Sequence, residues 1–241
     1  MIPELIVRPI IYTSHREDWL ALLECLGAVR LTDDPAWTVL EFRHGRVALH
    51  AAEDGYPDGA VSLGFETDSL EAFLGAVPSN PAVRVEAHQA GHGESVQVTT
   101  ADGLRFLIDP TTPSGAGNAG LDTWTEALRI AADVPGAADE LELLGLRRHL
   151  TETNGQTITL CAAEGTVLVH IGEAGAPDAE FSVGTTDLQG CHLRLLNAGI
   201  QHDVIDETFG RTLRVPCPGP AGSTLWINQP DQVPVGAVRH D

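Results

Sequence analysis

Apolar and polar positions along the chain resolve into four short amphipathic helices, each set among short strands. Trp19, Leu22, Leu23 and Leu26 recur at i, i+3, i+4 and i+7, the spacing of one helical face. Ser14 with Glu17 three residues on reads as a capping box ahead of them, and Gly27 as the stop. Leu70, Phe73, Leu74 and Val77 repeat the spacing after Asp68 and Glu71. A third run follows Asp133 with Ala138 and Leu141 and stops at Gly145. A fourth follows Asp187 with Leu188, Cys191 and Leu195 and stops at Gly199. Expected caps at 14, 68, 133 and 187 stand 54 residues apart within each pair. One Val-, Ile- and Thr-rich run precedes each helix (5–13, 60–66, 123–131 and 180–186) and about three follow it, broken by HG, DG and EG turns. The unit is βαβββ, four times over.

A longer repeat overlies the short one. GRVALHAAEDGYPDGAVSLGFETDSLEAF (45–73) matches GTVLVHIGEAGAPDAEFSVGTTDLQGC (165–191), with His50 against His170, Gly64 against Gly184 and Asp68 against Asp187. Between the halves lies PTTPSGAGNAG (110–120), whose Gly, Pro, Ser and Thr content is that of a linker. The expected division is 1–112, a linker at 113–119, 120–230 and a tail at 231–241.

Four βαβββ units paired twice, the helix endings Leu26-Gly27 and Leu144-Gly145, and the ADGLRFLIDP stretch (101–110) resemble the vicinal oxygen chelate superfamily. This is the glyoxalase, bleomycin-resistance and extradiol-dioxygenase group. The resemblance covers nearly the whole chain. It implies an α+β fold of two glyoxalase-like domains, each with a cupped half-barrel sheet that holds the ligand. In the family's enzymes it also implies a divalent metal, held by His, Gln or Glu from the first and last strands of the units.

Carried onto this chain residue by residue, those metal positions are mostly vacant. In the first half they fall on Val7, near Val61 and on Leu107, and only His50 could ligate. In the second half Glu126, His170 and Glu180 are an atypical candidate set, but the closing-strand position holds Trp226. No cofactor is therefore expected, with a divalent metal kept as the alternative. His92, in a Gly-bounded loop, is expected to overhang a ligand, with Phe209 as its counterpart. Few residues are aromatic, so Trp37, Trp124 and Trp226 near strands are candidate pocket walls, as in the family's metal-free resistance proteins. Trp19 belongs to the helical stripe and to the core.

The main reading is a metal-free protein that sequesters a small organic molecule, with Trp37, His50, His92, Trp124, His170, Phe209 and Trp226 as candidate ligand-binding residues. The alternatives are a metal-dependent lyase, isomerase or extradiol-type dioxygenase using the second half, and a scaffold whose cups are filled by side chains. Whether the chain is an enzyme stays open at this point.

Composition narrows the chemistry further. The formal charge is −20, and all 14 basic residues are Arg. Without lysine there is no Schiff-base lysine and no P-loop lysine. A strongly acidic chain lacks the basic footprint that nucleic acids and anionic membranes need. No apolar run reaches the roughly 18 residues of a membrane span. Four scattered cysteines and an N-terminus without a basic leader read as a reduced, cytoplasmic protein, a monomer or a homodimer.

Overall fold

The computed structural model describes residues 2–114, 121–172, 178–207, 210–230 and 236–240. In chain order the first half runs β1 (Ile6–Val7), β2 (Ile10–Thr13), α1 (Arg16–Cys25), β3 (Val29–Arg30), β4 (Trp37–Glu41) and β5 (Arg46–Ala51). It continues through β6 (Val61–Ser62), β7 (Gly64–Thr67), α2 (Leu70–Ala76), β8 (Val83–Ala90), β9 (Gly93–Thr100) and β10 (Arg105–Pro110). The second half opens with β11 (Thr123–Ala131), α3 (Val134–Leu143), β12 (Arg147–Glu152), β13 (Thr157–Cys161) and β14 (Thr166–Ile171). It closes with β15 (Asp178–Thr185), α4 (Leu188–Asn197), β16 (Asp203–Glu207), β17 (Gly210–Pro216), β18 (Thr224–Pro230) and β19 (Ala237–Arg239).

The second half forms one sheet in the order β16-β17-β18-β15-β11-β14-β13-β12-β19. The first half forms two five-stranded sheets, β1-β7-β10-β9-β8 and β3-β4-β5-β2-β6. The expected strand 5–13 is broken at Arg8-Pro9 and the strand 60–66 at Leu63, which separates those sheets. Proline cannot donate to a ladder, so a break at Pro9 is what its chemistry dictates. The sheets are mixed and open, with no closed barrel. The expected linker lies, from residue 115 on, outside the described residues.

Two expected helix caps shift by one residue. The α1 N-cap is His15 and its side chain makes no cap bond, so the Ser14–Glu17 box is not formed. Instead the Ser14 amide donates to Asp58, which pins the loop before β6 to the helix start. At α2, Ser69 rather than Asp68 accepts from the Ala72 amide. Asp133 and Asp187 cap α3 and α4 as expected, each accepting from an amide three residues on.

The helix-bearing faces of the two halves are buried against each other. One core joins Phe65, Phe73 and Ile108 of the first half to Ala138, Leu141 and Val167 of the second. The other joins Leu23, Leu40 and Leu49 to Val183, Leu195 and Leu213. Backbone bonds stitch the seam at two equivalent places, Val7 N to Glu164 O at 2.9 Å and Thr125 N to His44 O at 2.9 Å. Two repeat-related turns, at Gly45 (φ +85°) and Gly165 (φ +82°), meet there. A Cβ on Gly45 would lie 2.9 Å from Thr125 Cβ and 3.2 Å from Gly165 Cα. Only glycine combines that φ with that approach. The opposite, helix-free faces are the cups. Among the described residues no helix is long and apolar enough to cross a membrane.

The seam yields a test. Gly45→Ala should cost more than about 1 kcal/mol, from the left-handed φ alone. Urea unfolding should show both halves losing stability in one transition, since each core draws on both. Two separate transitions would contradict the shared cores.

Candidate functional site

In the second-half cup the ladder decides which side chains meet. Glu126 on β11 stands opposite Ser182 on β15 and Thr166 on β14, and Trp124 stands opposite Gly184. Gly184 in turn is opposite Asn228 on β18, and Asn228 is opposite Thr212 on β17. Residues two apart on a strand share a face, so Trp124, Glu126, Ser182, Asn228 and Trp226 line one surface.

Hydrogen bonds confirm that convergence. Ser182 Oγ donates to Glu126 Oε1 at 2.7 Å, and Asn228 Nδ2 donates to the same oxygen at 2.6 Å. Thr212 Oγ1 donates to Asn228 Oδ1 at 3.1 Å, which orients the amide toward Glu126. Glu126 is only 6% exposed and has no cationic partner among the described residues. Burial raises its carboxyl above the ordinary glutamate value, against the opposing pull of the Ser182 and Asn228 bonds. With Oε1 accepting twice, Oε2 is the oxygen left free, and a proton carried there would be a donor.

Two other polar atoms near Glu126 are buried without a partner: Trp124 Nε1 and Thr166 Oγ1. The Trp124 indole lies across Gly184, where a Cβ would fall 2.0 Å from Cε2, so glycine is what lets the ring lie flat. Trp226, half-buried, stands opposite Arg214, whose Nε is also buried and unpartnered. Buried donors normally find partners. Several unpartnered ones on the strand face that bears Glu126 describe a surface short of oxygen acceptors.

The set Glu126, His170 and Glu180 is not brought together. His170 is opposite Ile130, four residues along β11 from Glu126, which places it about 13 Å away at a strand's rise. It is exposed at its strand end, with Nδ1 on Ile171 O at 2.7 Å. Glu180 is exposed and opposite Leu128, while Ser182, two residues on, takes the place beside Glu126. On the closing strand it is Asn228, two residues from Trp226, that bonds Glu126. Ser182, Asn228 and Thr166 are polar residues that counting back from helix caps passes over. Only the ladder register singles them out.

The divalent metal implied by the family resemblance does not fit these residues. One buried carboxyl whose Oε1 already accepts two bonds, a hydroxyl and a carboxamide are poor donors for such an ion. No group of three His, Cys, Asp or Glu side chains that could hold a metal occurs among the described residues.

The first-half cup is filled differently. Arg8 is fully buried, with Nε 3.1 Å from Glu66 Oε1 and Nη2 paired to Asp109. Arg46 bonds Glu41 Oε1 at 2.8 Å and also pairs with Glu66. Thr112 Oγ1 donates to Glu66 at 2.8 Å and Ser114 Oγ to Glu41 at 2.7 Å, so the segment after β10 is latched across the network. Trp37, His50 and His92 come together beside it, as Trp37 stacks on His92 at 5.4 Å and meets His50 at 5.7 Å. Phe209, the expected counterpart of His92, lies outside the described residues.

No protein-family model matches the chain, and no curated protein does. Solved structures do share its fold. Homoprotocatechuate 2,3-dioxygenase from Brevibacterium fuscum, in an anaerobic complex with 3,4-dihydroxyphenylacetate, aligns with a TM-score of 0.64 at 16% identity, over 98% of this chain and 84% of that one. The enzyme of the same name from Arthrobacter globiformis aligns at 0.63 and 15%, over 95% and 80%. A room-temperature structure of an extradiol ring-cleaving dioxygenase from B. fuscum aligns at 0.64 and 15%, over 96% and 72%. These likenesses establish an extradiol-dioxygenase-like fold for the chain.

Two substitutions test the electrostatics. Arg8→Met leaves Asp109 buried without its arginine and Glu66 with Arg46 alone, and should cost about 3–5 kcal/mol in urea unfolding. Glu126→Gln keeps the bonds but cannot ionise. A raised carboxyl pKa favours the fold at low pH, and that contribution is lost as pH rises from the ordinary glutamate range through the folded value. The stability of Glu126→Gln relative to the parent should therefore grow with pH above about 4.3 and then level off. A constant difference from pH 3 to 8 would mean that Glu126 is not perturbed.

Proposed function

We propose that the second-half cup binds a small planar organic molecule through its oxygen atoms. The observation that carries this is the buried, cation-free carboxyl of Glu126 beside the unpartnered Trp124 Nε1 and Thr166 Oγ1, on a strand face that also bears Trp226. Glu126 Oε2–H and Trp124 Nε1–H would donate to ligand oxygens, and Trp124 and Trp226 would cover the ring faces. Arg214 adds a cation suited to an anionic substituent. In this reading the repeat units pair into two glyoxalase-like domains, and the chain acts alone or as a homodimer in the cytoplasm.

The likeness to ring-cleaving dioxygenases favours catalytic use of the cup over resistance-type sequestration, which was the nearest activity expected from sequence. Oxygenated aromatic molecules such as 3,4-dihydroxyphenylacetate, bound by one of those enzymes, are therefore the first ligands to try. A metal-dependent reaction is the second reading, supported by that same likeness and opposed by the donor set at Glu126, Ser182 and Asn228.

The test uses the Trp37→Phe chain, so that fluorescence reports the second-half cup, with 3,4-dihydroxyphenylacetate titrated in a chelator. Saturable quenching is expected. It should weaken about tenfold in Glu126→Leu, the loss of one buried hydrogen bond, survive in Glu126→Gln, and fade with rising pH in the parent alone. Binding that requires added iron(II), with formation of a ring-opened product, would replace this reading with the metal-dependent one.

A further inference from the structure

The first-half cup carries an arrangement that the second-half site does not use. Asp109 Oδ1 bonds His92 Nε2 at 3.0 Å. Burial opposes ionisation of Asp109, but the His92 bond, the Arg8 charge and the Ser95 hydroxyl together hold its carboxyl below the usual range. An ionised carboxylate only accepts, so His92 donates from Nε2, and in its neutral form the lone pair lies on Nδ1. His50 is fixed the other way round. Its Nδ1 lies 2.7 Å from Ala51 O, a carbonyl that only accepts, which leaves the lone pair on Nε2.

Both rings contact Trp37. His92 stacks on the indole with planes 10° apart, and His50 meets it edge-on at 74°. The Trp37 indole N–H has no partner among the described residues and is not among their buried unsatisfied groups. Beyond His50 the ring series continues through Tyr12 to Tyr56, which stack at 4.2 Å. Behind the rings stand two arginines and three carboxylates, Arg8, Arg46, Glu41, Glu66 and Asp109, a network of net charge −1. That excess disfavours an anion at this cup and suits a neutral molecule with hydrogens to donate.

We propose that the first-half cup is a second small-molecule site, which takes a neutral aromatic hydroxyl compound whose O–H donates to Nδ1 of His92 and whose ring lies among Trp37, His50 and Tyr12. His92 is the binding residue. Asp109 is a positioning residue that fixes its tautomer, and the buried Arg8 keeps Asp109 ionised.

The full chain carrying Trp124→Phe and Trp226→Phe tests this, because Trp37 is then the partly exposed fluorophore and Trp19 sits in the core. Phenol is the probe, and calorimetry of the same mixtures gives the stoichiometry. Saturable quenching with one phenol per chain is expected. Adding His92→Leu should weaken it about tenfold, since His92 lies in a half-exposed hairpin turn and its loss leaves the core intact. Adding Glu126→Leu should leave it unchanged, so failure here and failure of the second-half site are separable. Asp109→Asn should weaken phenol binding with a folded circular dichroism spectrum. If that variant does not fold, His92→Leu decides alone. Absence of saturable quenching, or a His92→Leu variant that binds phenol as tightly as its parent, would show that the cup is only a structural plug.

Discussion

A carboxylic acid has been placed at the bottom of an apolar sheet surface with no cation to meet it. Glu126 is held by Ser182 and Asn228, both donating to one oxygen. Burial disfavours the ionised form of that carboxyl, against the pull of the two donors, and so raises its titration. The rest of the second-half cup follows from that choice. The amide of Asn228 must be oriented, which Thr212 does. The indole of Trp124 must lie beside the acid, which the missing side chain of Gly184 allows. What results is a surface with donors to spare.

The two halves solve the same architectural problem with opposite electrostatics. The first half fills its cup with internal cations, Arg8 and Arg46, each shared between carboxylates, and latches the segment after β10 over them. Among the described residues Glu126 has no ion-pair partner in the second half, where Arg214 pairs with Asp203 at 3.4 Å. The helix faces are not divided between the halves at all, because each hydrophobic core draws on both. The chain's formal charge is −20, and the candidate groups lie on one strand face of each half.

Much of this was legible in the chain itself. Periodicity and the repeat placed all four helices, and the Gly64–Gly184 equivalence marked backbone positions where side chains must be absent. Trp37, His50 and His92 were each singled out as polar-aromatic residues near strands, and they meet. The register of the strands was not legible. Counting back from a helix cap leads to Glu180, two residues from Ser182, and matching the family's closing strand leads to Trp226, two residues from Asn228, because neither sees the ladder beside the strand. Arg8 stands out in no local pattern of the sequence. Its actual partners, Glu66 and Asp109, are 58 and 101 residues away, and no local pattern announces pairs at that distance.

The neutral acid is the claim on which the functional account stands, and it can be observed without knowing the ligand. The carboxyl carbon of Glu126, assigned by comparison with Glu126→Gln in carbon-13-labelled protein, should titrate above the ordinary glutamate value, with the same curve in the presence and absence of a chelator. A carboxyl that titrates at or below the ordinary value, or whose curve shifts when metal is removed, would show a charged ligand group at the heart of the cup and contradict the account.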